Sequence, residues 1–263
     1  MPLENAALIT VIVVTYNRLS YLKLTIDSIL QQTYKNLEIL VIGDGDQTDV
    51  KKYVEQLVDF QVEYLFVPHC GYPAKARNLG IETAKGSFIA FCDDDDLWHP
   101  NKLEHQMQFF NQDSSLDLCF TNRTVIDAAG NIIEGKGLNW IPSKTNLSTI
   151  LLTNFISYSS VLLKKEILIK TGLFPDELKF KAIEDYHLWI RIASCGKLYF
   201  LNEKLVHYRI HENNITKKLS VGAKSVLLIF KDLFPQLRLN YYLKLKAYMG
   251  VYTKYIIYRI KGI

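Results

Sequence analysis

Four short apolar runs punctuate the first hundred residues: Leu8–Val14, Leu37–Ile42, Val62–Val67 and Ser87–Cys92. Each has strand length and is rich in β-branched or aromatic residues. Between them the spacing predicts helices over about Leu19–Gln32, Val50–Phe60 and Ala74–Lys85. Ile26, Ile29 and Leu30 give the first helix a core-facing side at i, i+3, i+4, and Gly86 is expected to cap the third. Alternation of this kind predicts an α/β fold with a parallel sheet and helices on both faces, because parallel neighbours need a crossover. In such sheets ligands collect beyond the carboxyl ends of the strands.

The polar clusters obey that rule. Strand one runs into Thr15-Tyr16-Asn17-Arg18, strand two into Gly43-Asp44-Gly45-Asp46, and strand four into Asp93-Asp94-Asp95-Asp96. Arg77 and Asn78, on the helix opening near Ala74, reach the same edge. Adjacent carboxylates repel, and burying them unpaired is costly, so a cation is expected among Asp93–Asp96. Hard oxygen ligands suit Mg²⁺ or Mn²⁺ completed by phosphate oxygens. A solvated turn capping the helix that starts near Pro100 would need only one of these acids. Tyr16 offers a ring to stack on a base, Asp44 an acceptor for a base N–H, and Arg77 a charge for phosphate or for the acidic cluster.

At 263 residues the chain sits at the upper end of what one α/β domain holds. Cys70, Cys92, Cys119 and Cys195 are scattered without a C-x-x-C pair, so reduced cytosolic thiols are expected rather than a zinc or disulfide framework. The run Leu8–Val14 has neither a basic leader nor a cleavage site, and no secretion signal is read there. Charge does change the picture. From Thr216 onward ten Lys and Arg face a single acid, Asp232, giving +9 and leaving −5 on the rest of a chain whose total is +4. In this tail Tyr241, Leu245, Tyr248, Tyr252 and Tyr255 fall within about 80° of arc on a helix at ~100° per residue. No run approaches the ~18 apolar residues a spanning helix needs. Tyrosines with lysines suit an anionic membrane surface. A hairpin packed on the protein body or on a second subunit is the alternative. The oligomeric state is left open.

Four segments, Val11-Ile12-Val13-Val14-Thr15-Tyr16-Asn17-Arg18, Glu38-Ile39-Leu40-Val41-Ile42-Gly43-Asp44-Gly45, Ala76-Arg77-Asn78-Leu79-Gly80 and Phe91-Cys92-Asp93-Asp94-Asp95-Asp96-Leu97-Trp98, resemble the successive blocks of family 2 glycosyltransferases. Ile183-Glu184-Asp185-Tyr186-His187-Leu188-Trp189-Ile190-Arg191 is similar to the acidic motif that supplies that family's catalytic base. His207-Tyr208-Arg209-Ile210-His211-Glu212-Asn213 resembles its C-terminal histidine motif. The resemblance runs from about Leu8 to Thr216, with the blocks in family order.

It implies a GT-A fold over residues 1–215: a Rossmann-like, mostly parallel central sheet, with a nucleotide-sugar half to about 119, an acceptor half from about 120, and a C-terminal helical tail over 216–263. Thr15, Tyr16 and Asp44 would hold the base and ribose, with Asn17, Arg18 and Arg77 completing the nucleotide-sugar side. Asp93 and Asp94 would line the ribose and sugar. Asp95 would coordinate the divalent ion, Mn²⁺ or Mg²⁺, with His211 helping to hold metal or diphosphate. Asp185 matches the general base, with Glu184 as the other candidate. One departure is Gly43-Asp44-Gly45, where relatives usually carry two acids before the glycine; the second acid is kept.

The implied activity is inverting, metal-dependent transfer from a nucleotide-sugar, with a UDP-sugar expected, to a saccharide or lipid-linked saccharide in cell-surface polysaccharide or glycolipid synthesis. The implied location is cytoplasmic, peripheral on the inner membrane face. On the acceptor side are Thr121-Asn122-Arg123, the Glu134–Leu138 loop, Trp140 and Ser157-Tyr158-Ser159-Ser160. A nucleotidyltransferase would want a glycine-rich phosphate loop after strand one, and a dehydrogenase G-x-G-x-x-G; neither is present. The acidic body and tyrosine-rich tail argue against nucleic acid. A non-catalytic nucleotide-sugar-binding relative is the alternative, and Asp185 together with Asp95 argues against it.

Overall fold

Alternate residues of the early strands enter opposite cores, as strands covered on both faces require. The computed structural model describes residues 6–57, 61–135, 141, 142, 144–212 and 219–261 of the chain, with side chains over 225–256 of the last stretch. Trp140 and most of the expected Glu134–Leu138 loop lie outside the described residues, as do Phe60 and Asn213. Strands β1 (Ile9–Thr15), β2 (Leu37–Asp44), β3 (Val62–Val67) and β4 (Phe88–Asp93) are parallel, in the order β3-β2-β1-β4. Ile12, Leu40, Ile42, Ile89 and Phe91 fill one core, and Val11, Val13, Ile39, Val41 and Ala90 fill the other.

Helices α1 (Leu19–Leu30) and α2 (Thr48–Glu55) cover the second core through Leu22, Ile26, Ile29, Val50 and Val54. Helix α3 (Pro73–Thr83) covers the first through Ala74, Ala76 and Ile81. Leu30, expected in the core, is only half-buried. Gly86 is not a helix cap: α3 ends at Thr83 and Ala84 closes it. Its role lies in the sheet. A Cβ at Gly86 would stand 2.6 Å from the Thr10 amide nitrogen and 2.7 Å from the Leu8 carbonyl oxygen. The approach is set by Glu38, whose carboxylate accepts from Thr10 Oγ1 at 2.6 Å and from the Lys85 amide at 2.9 Å.

The second half departs from simple alternation. It comprises β5 (Leu97–Trp98), α4 (Lys102–Gln112), β6 (Leu118–Ile126), α5 (Leu147–Ile150), β7 (Val161–Lys164), α6 (Lys165–Thr171), α7 (Glu184–Cys195) and β8 (Leu198–Arg209). The full order is β3-β2-β1-β4-β7-β6-β8-β5. β7 runs antiparallel to both β4 and β6, β8 runs parallel to β6, and β5 pairs antiparallel with β8. The sheet is therefore mixed but mostly parallel, and β4, with its terminal acids, lies centrally.

The tail forms α8 (Leu219–Leu233) and α9 (Tyr241–Lys261), which pack on each other. Ile229, Phe230, Leu233, Phe234, Ala247 and Val251 are buried in the same core as Phe91 and Trp189. The hairpin thus packs on the protein body, and the tyrosine stripe divides. Tyr248 turns inward, edge-on to Phe230 and Phe234 at 5.5 and 5.3 Å, while Tyr241, Leu245 and Tyr252 face solvent. No helix among the described residues is long and apolar enough to cross a membrane.

Replacing Gly86 by Ala should lower unfolding free energy by about 1–3 kcal/mol, as overpacking against backbone does. Urea denaturation checks this, and an unchanged midpoint would contradict the close approach.

Candidate active site

The carboxyl ends of β1 and β4 lie side by side, Val14 opposite Asp93, so the turn after β1 faces the acidic run. Asn17 adopts φ 53°, a left-handed conformation that Asn tolerates better than most residues. Gln47 secures this turn: its Oε1 accepts from the Asn17 amide at 2.7 Å and its Nε2 donates to the Thr15 carbonyl at 3.0 Å. The turn delivers Arg18 to Asp94 Oδ1 at 2.7 Å and Asp95 Oδ2 at 2.6 Å. Burial disfavours the Arg18 cation, yet Asp94, Asp95 and Asp93 together hold its pKa above the ordinary value.

Arg77 does the same from α3. Its Nη1 meets Glu184 Oε1 at 2.6 Å and its Nη2 approaches Asp93 Oδ1 at 3.4 Å. The guanidinium carbon lies 3.8 Å from the centre of the Tyr158 ring, which stacks on Phe91 at 5.0 Å. Pairing and a cation–π contact together make a buried arginine tolerable there.

The four consecutive acids have separate tasks. Asp93 and Asp95 line a cavity of about 240 Å³, whereas Asp94 and Asp96 are fully buried behind it. Burial, against the pull of Arg77, pushes the Asp93 carboxyl up to about 6. Burial, against Arg18, pushes Asp94 up to about 7. Asp96 is an anchor: it accepts from Ser159 Oγ at 2.5 Å and from the Arg209 amide at 2.9 Å, and burial drives its carboxyl well above the usual range.

The same cavity is lined by Asp185, Glu184, Asn154, Ser157, Tyr158, Arg123 and Tyr208. Asp185 lies in the first turn of α7, three residues after Ala182 at φ 68°, a strained value for a residue with a Cβ. Its Oδ1 accepts from the Tyr186 amide at 2.6 Å and its Oδ2 from Asn154 Nδ2 at 3.4 Å. Burial first, then the Glu184 charge, pushes the Asp185 carboxyl up to about 7. A carboxylate poised there suits proton abstraction near neutral pH. Glu184, the other candidate, is committed to Arg77.

His211 lies against Asp95, Nε2 to Oδ2 at 2.9 Å, with its ring stacked on Tyr21. No group of three or more His, Cys, Asp or Glu able to hold a metal occurs among the described residues. The Asp95–His211 pair nevertheless fits a divalent ion of the kind that takes one or two protein ligands and completes its shell with phosphate oxygens.

Thr15, Tyr16, Asn17, Asp44, Asp94 and His211 do not line the cavity. Both Asp44 oxygens accept loop amides, from Cys70 at 2.8 Å and Gly71 at 2.9 Å. Tyr16 stacks on His69, ring centres 4.3 Å apart and nearly parallel, and stays 44% exposed. The runs Thr121–Arg123 and Ser157–Ser160 contribute cavity residues as their polarity suggested. His69, Gln47 and Asn154 carried no signal, being single residues that reach the site only through folding.

Replacing Arg77 by Met should cost about 3–5 kcal/mol, since it leaves Glu184 buried without its partner. Denaturant unfolding measures it, and a loss below 1 kcal/mol, roughly that of an exposed pair, would contradict this.

Comparison with known proteins agrees with this architecture. An uncharacterised glycosyltransferase of Rickettsia prowazekii is 31% identical over 213 residues, covering 80% of this chain and 66% of that protein. The chain covers 36% of a Rickettsia conorii relative, so it spans less than two thirds of the length of these Rickettsia proteins. An Escherichia coli protein, UDP-Glc:alpha-D-GlcNAc-diphosphoundecaprenol beta-1,3-glucosyltransferase WfgD, is 30% identical over 80% of this chain and 79% of its own. In fold, the crystal structure of S. aureus TarS in complex with UDP-GlcNAc superposes with a TM-score of 0.75 at 19% identity, covering 95% of this chain and 72% of that one. The family model described as glycosyl transferase family 2 matches residues 10–172. With more than half its length matched, the chain belongs to glycosyl transferase family 2.

Proposed function

We propose that this chain is an inverting, divalent-metal-dependent glycosyltransferase. It moves a hexose from a UDP-sugar to a hydroxyl of a lipid-diphosphate-linked saccharide during cell-surface glycan synthesis. The observation that carries the reading is that Asp93, Asp95 and Asp185 line one cavity. The donor and acceptor classes follow the names of the E. coli relative and the UDP-GlcNAc-bound neighbour.

In this reading Asp185 accepts the proton of the attacking hydroxyl, and Asn154 and the Tyr186 amide orient its carboxylate. Attack opposite the leaving diphosphate inverts the anomeric centre in one displacement, with no covalent enzyme intermediate. Asp95 and His211 would hold the metal, whose bound form supplies Lewis-acid stabilisation of the leaving diphosphate. Arg77 holds Asp93 toward the donor sugar. At about 240 Å³ the cavity is smaller than the ~300–1,000 Å³ of typical ligand sites. It accommodates the transferred sugar and the reacting hydroxyl. The uridine lies outside, toward Thr15, Asn17 and the exposed Tyr16 ring, with Asp44 shaping the loop beneath.

The tail supplies the membrane contact. Tyr241, Leu245, Met249, Tyr252 and Ile256 are all exposed and fall within about 80° of arc on α9 at ~100° per residue. The buried Ala247 and Val251 lie on the opposite side. An apolar stripe facing outward, in a segment carrying +9, suits an anionic lipid surface.

Three outcomes are expected. Asp185→Asn should reduce turnover by about 10²–10⁴-fold while UDP binding persists. In the wild type, kcat/KM should fall as pH drops below about 7, because the base works only when deprotonated. Near-wild-type turnover of Asp185→Asn with the supplied acceptor would sink the assignment. For the tail, exchanging Leu245, Met249, Tyr252 and Ile256 for Ser in the full chain should abolish co-sedimentation with phosphatidylglycerol vesicles without changing UDP affinity. Undiminished sedimentation would remove the membrane role.

A further inference from the structure

Three arginines line the cavity, and their charge balance differs. Arg18 is paired with Asp94 and Asp95, and Arg77 with Glu184 and Asp93. Arg123 has no carboxylate within 4.0 Å among the described residues. Its Nη1 donates to Ser157 Oγ at 3.0 Å, its guanidinium lies 4.3 Å from the centre of the Tyr208 ring, and its Nε is buried without a hydrogen-bond partner. An arginine held this way in a cleft has no ion-pair partner among the described residues and can offer its guanidinium to whatever enters.

The backbone is shaped to put it there. The β6–β8 ladder shifts register between Thr121 and Asn122 and again between Asn122 and Arg123. Such irregularities re-aim a side chain that regular pairing would direct elsewhere. Ser157, which Arg123 holds, stands three residues along the same loop from Asn154, which contacts Asp185. Arg123 and the candidate base therefore line one cavity and are linked to the same short loop.

We infer that Arg123, positioned by Ser157 and Tyr208, is an anion subsite for the phosphate on the anomeric carbon of the acceptor sugar. The inference rests on the transferase reading and extends it: the enzyme selects acceptors by the charge next to the reacting sugar. Phosphoryl oxygens could also come from the donor. On the donor side, however, Arg18, Asp95 and His211 already form a separate cluster. Guanidinium binds phosphoryl oxygens through paired, charge-assisted hydrogen bonds.

Calorimetry on the full chain separates the two sources. With Mg²⁺ and saturating UDP present, inorganic pyrophosphate should bind the wild type, and Arg123→Gln should weaken that binding about ten- to hundredfold. Arg123→Lys keeps the charge and should recover part of it, which distinguishes lost charge from a misfolded variant. UDP affinity should be alike in all three. Equal pyrophosphate binding by wild type and Arg123→Gln, or none to the UDP-loaded wild type, would overturn the subsite. A parallel loss of UDP affinity in Arg123→Gln would assign the residue to the donor and overturn the acceptor role. If the wild type bound no UDP, the transferase reading itself would fail, and pyrophosphate titration of the UDP-free proteins would still decide whether Arg123 holds an anion.

Discussion

Holding consecutive carboxylates at the end of a buried central strand is the constraint that organises this protein. Asp93, Asp94, Asp95 and Asp96 cannot share one environment without prohibitive repulsion, so the fold brings a different partner to each. Arg77 serves Asp93, Arg18 serves Asp94 and Asp95, His211 adds to Asp95, and the Ser159 hydroxyl with the Arg209 amide serves Asp96. These partners come from α3, the turn after β1, the end of β8 and the chain just beyond it, and the turn before β7. Meeting the acids' needs thereby draws the two halves of the sheet together. The cavity is what remains between those halves.

Arg77 is the hinge of this arrangement because it pairs with both halves at once. One side of its guanidinium faces Asp93 on β4, and the other is bonded to Glu184, whose neighbour is Asp185. It rests on Tyr158, with Phe91 and Phe174 adjoining and Trp189 packed behind. A charge fixed on an aromatic base cannot follow small motions of either half, so the separation between the β4 acids and Asp185 is set by packing. Low dielectric keeps Asp185 near the pKa at which a carboxylate can work as a base, while the ion pair keeps Glu184 out of that role.

The tail helices act on the same region from behind. Asp232 on α8 meets His187, two residues past Asp185, at 3.0 Å. Lys254 on α9 donates to the Leu152 carbonyl at 2.7 Å, two residues before Asn154. The hairpin therefore supports both residues of the Asp185–Asn154 contact, although it lies outside the segment matched by the family model. On α9 Ala247 and Val251 are buried, whereas Leu245, Met249, Tyr252 and Ile256 point outward.

Local pattern alone carried much of this. Strand and helix alternation, the four early strands within a residue or two, and the gathering of polar clusters at their carboxyl ends all follow from periodicities of 2 and 3.6, which are properties of short segments. Ordered motifs likewise singled out Asp95 and Asp185, which both line the cavity. What no segment could state was the partition of one acidic run into two cavity acids and two buried ones, since that depends on Arg18, Arg77 and Arg209 arriving from distant positions. The same holds for Gly86, which looked like a helix cap and proved to be a backbone crossing with β1, and for the tail, where tyrosines on one helical arc were divided between core and solvent by the packing of α8. Arg123 is the clearest case: its type was visible in the chain, but its lack of an acidic partner among the described residues is a property of the assembled cavity. Sequence sets which groups exist and how they repeat; only the fold decides which charges are left to meet a ligand.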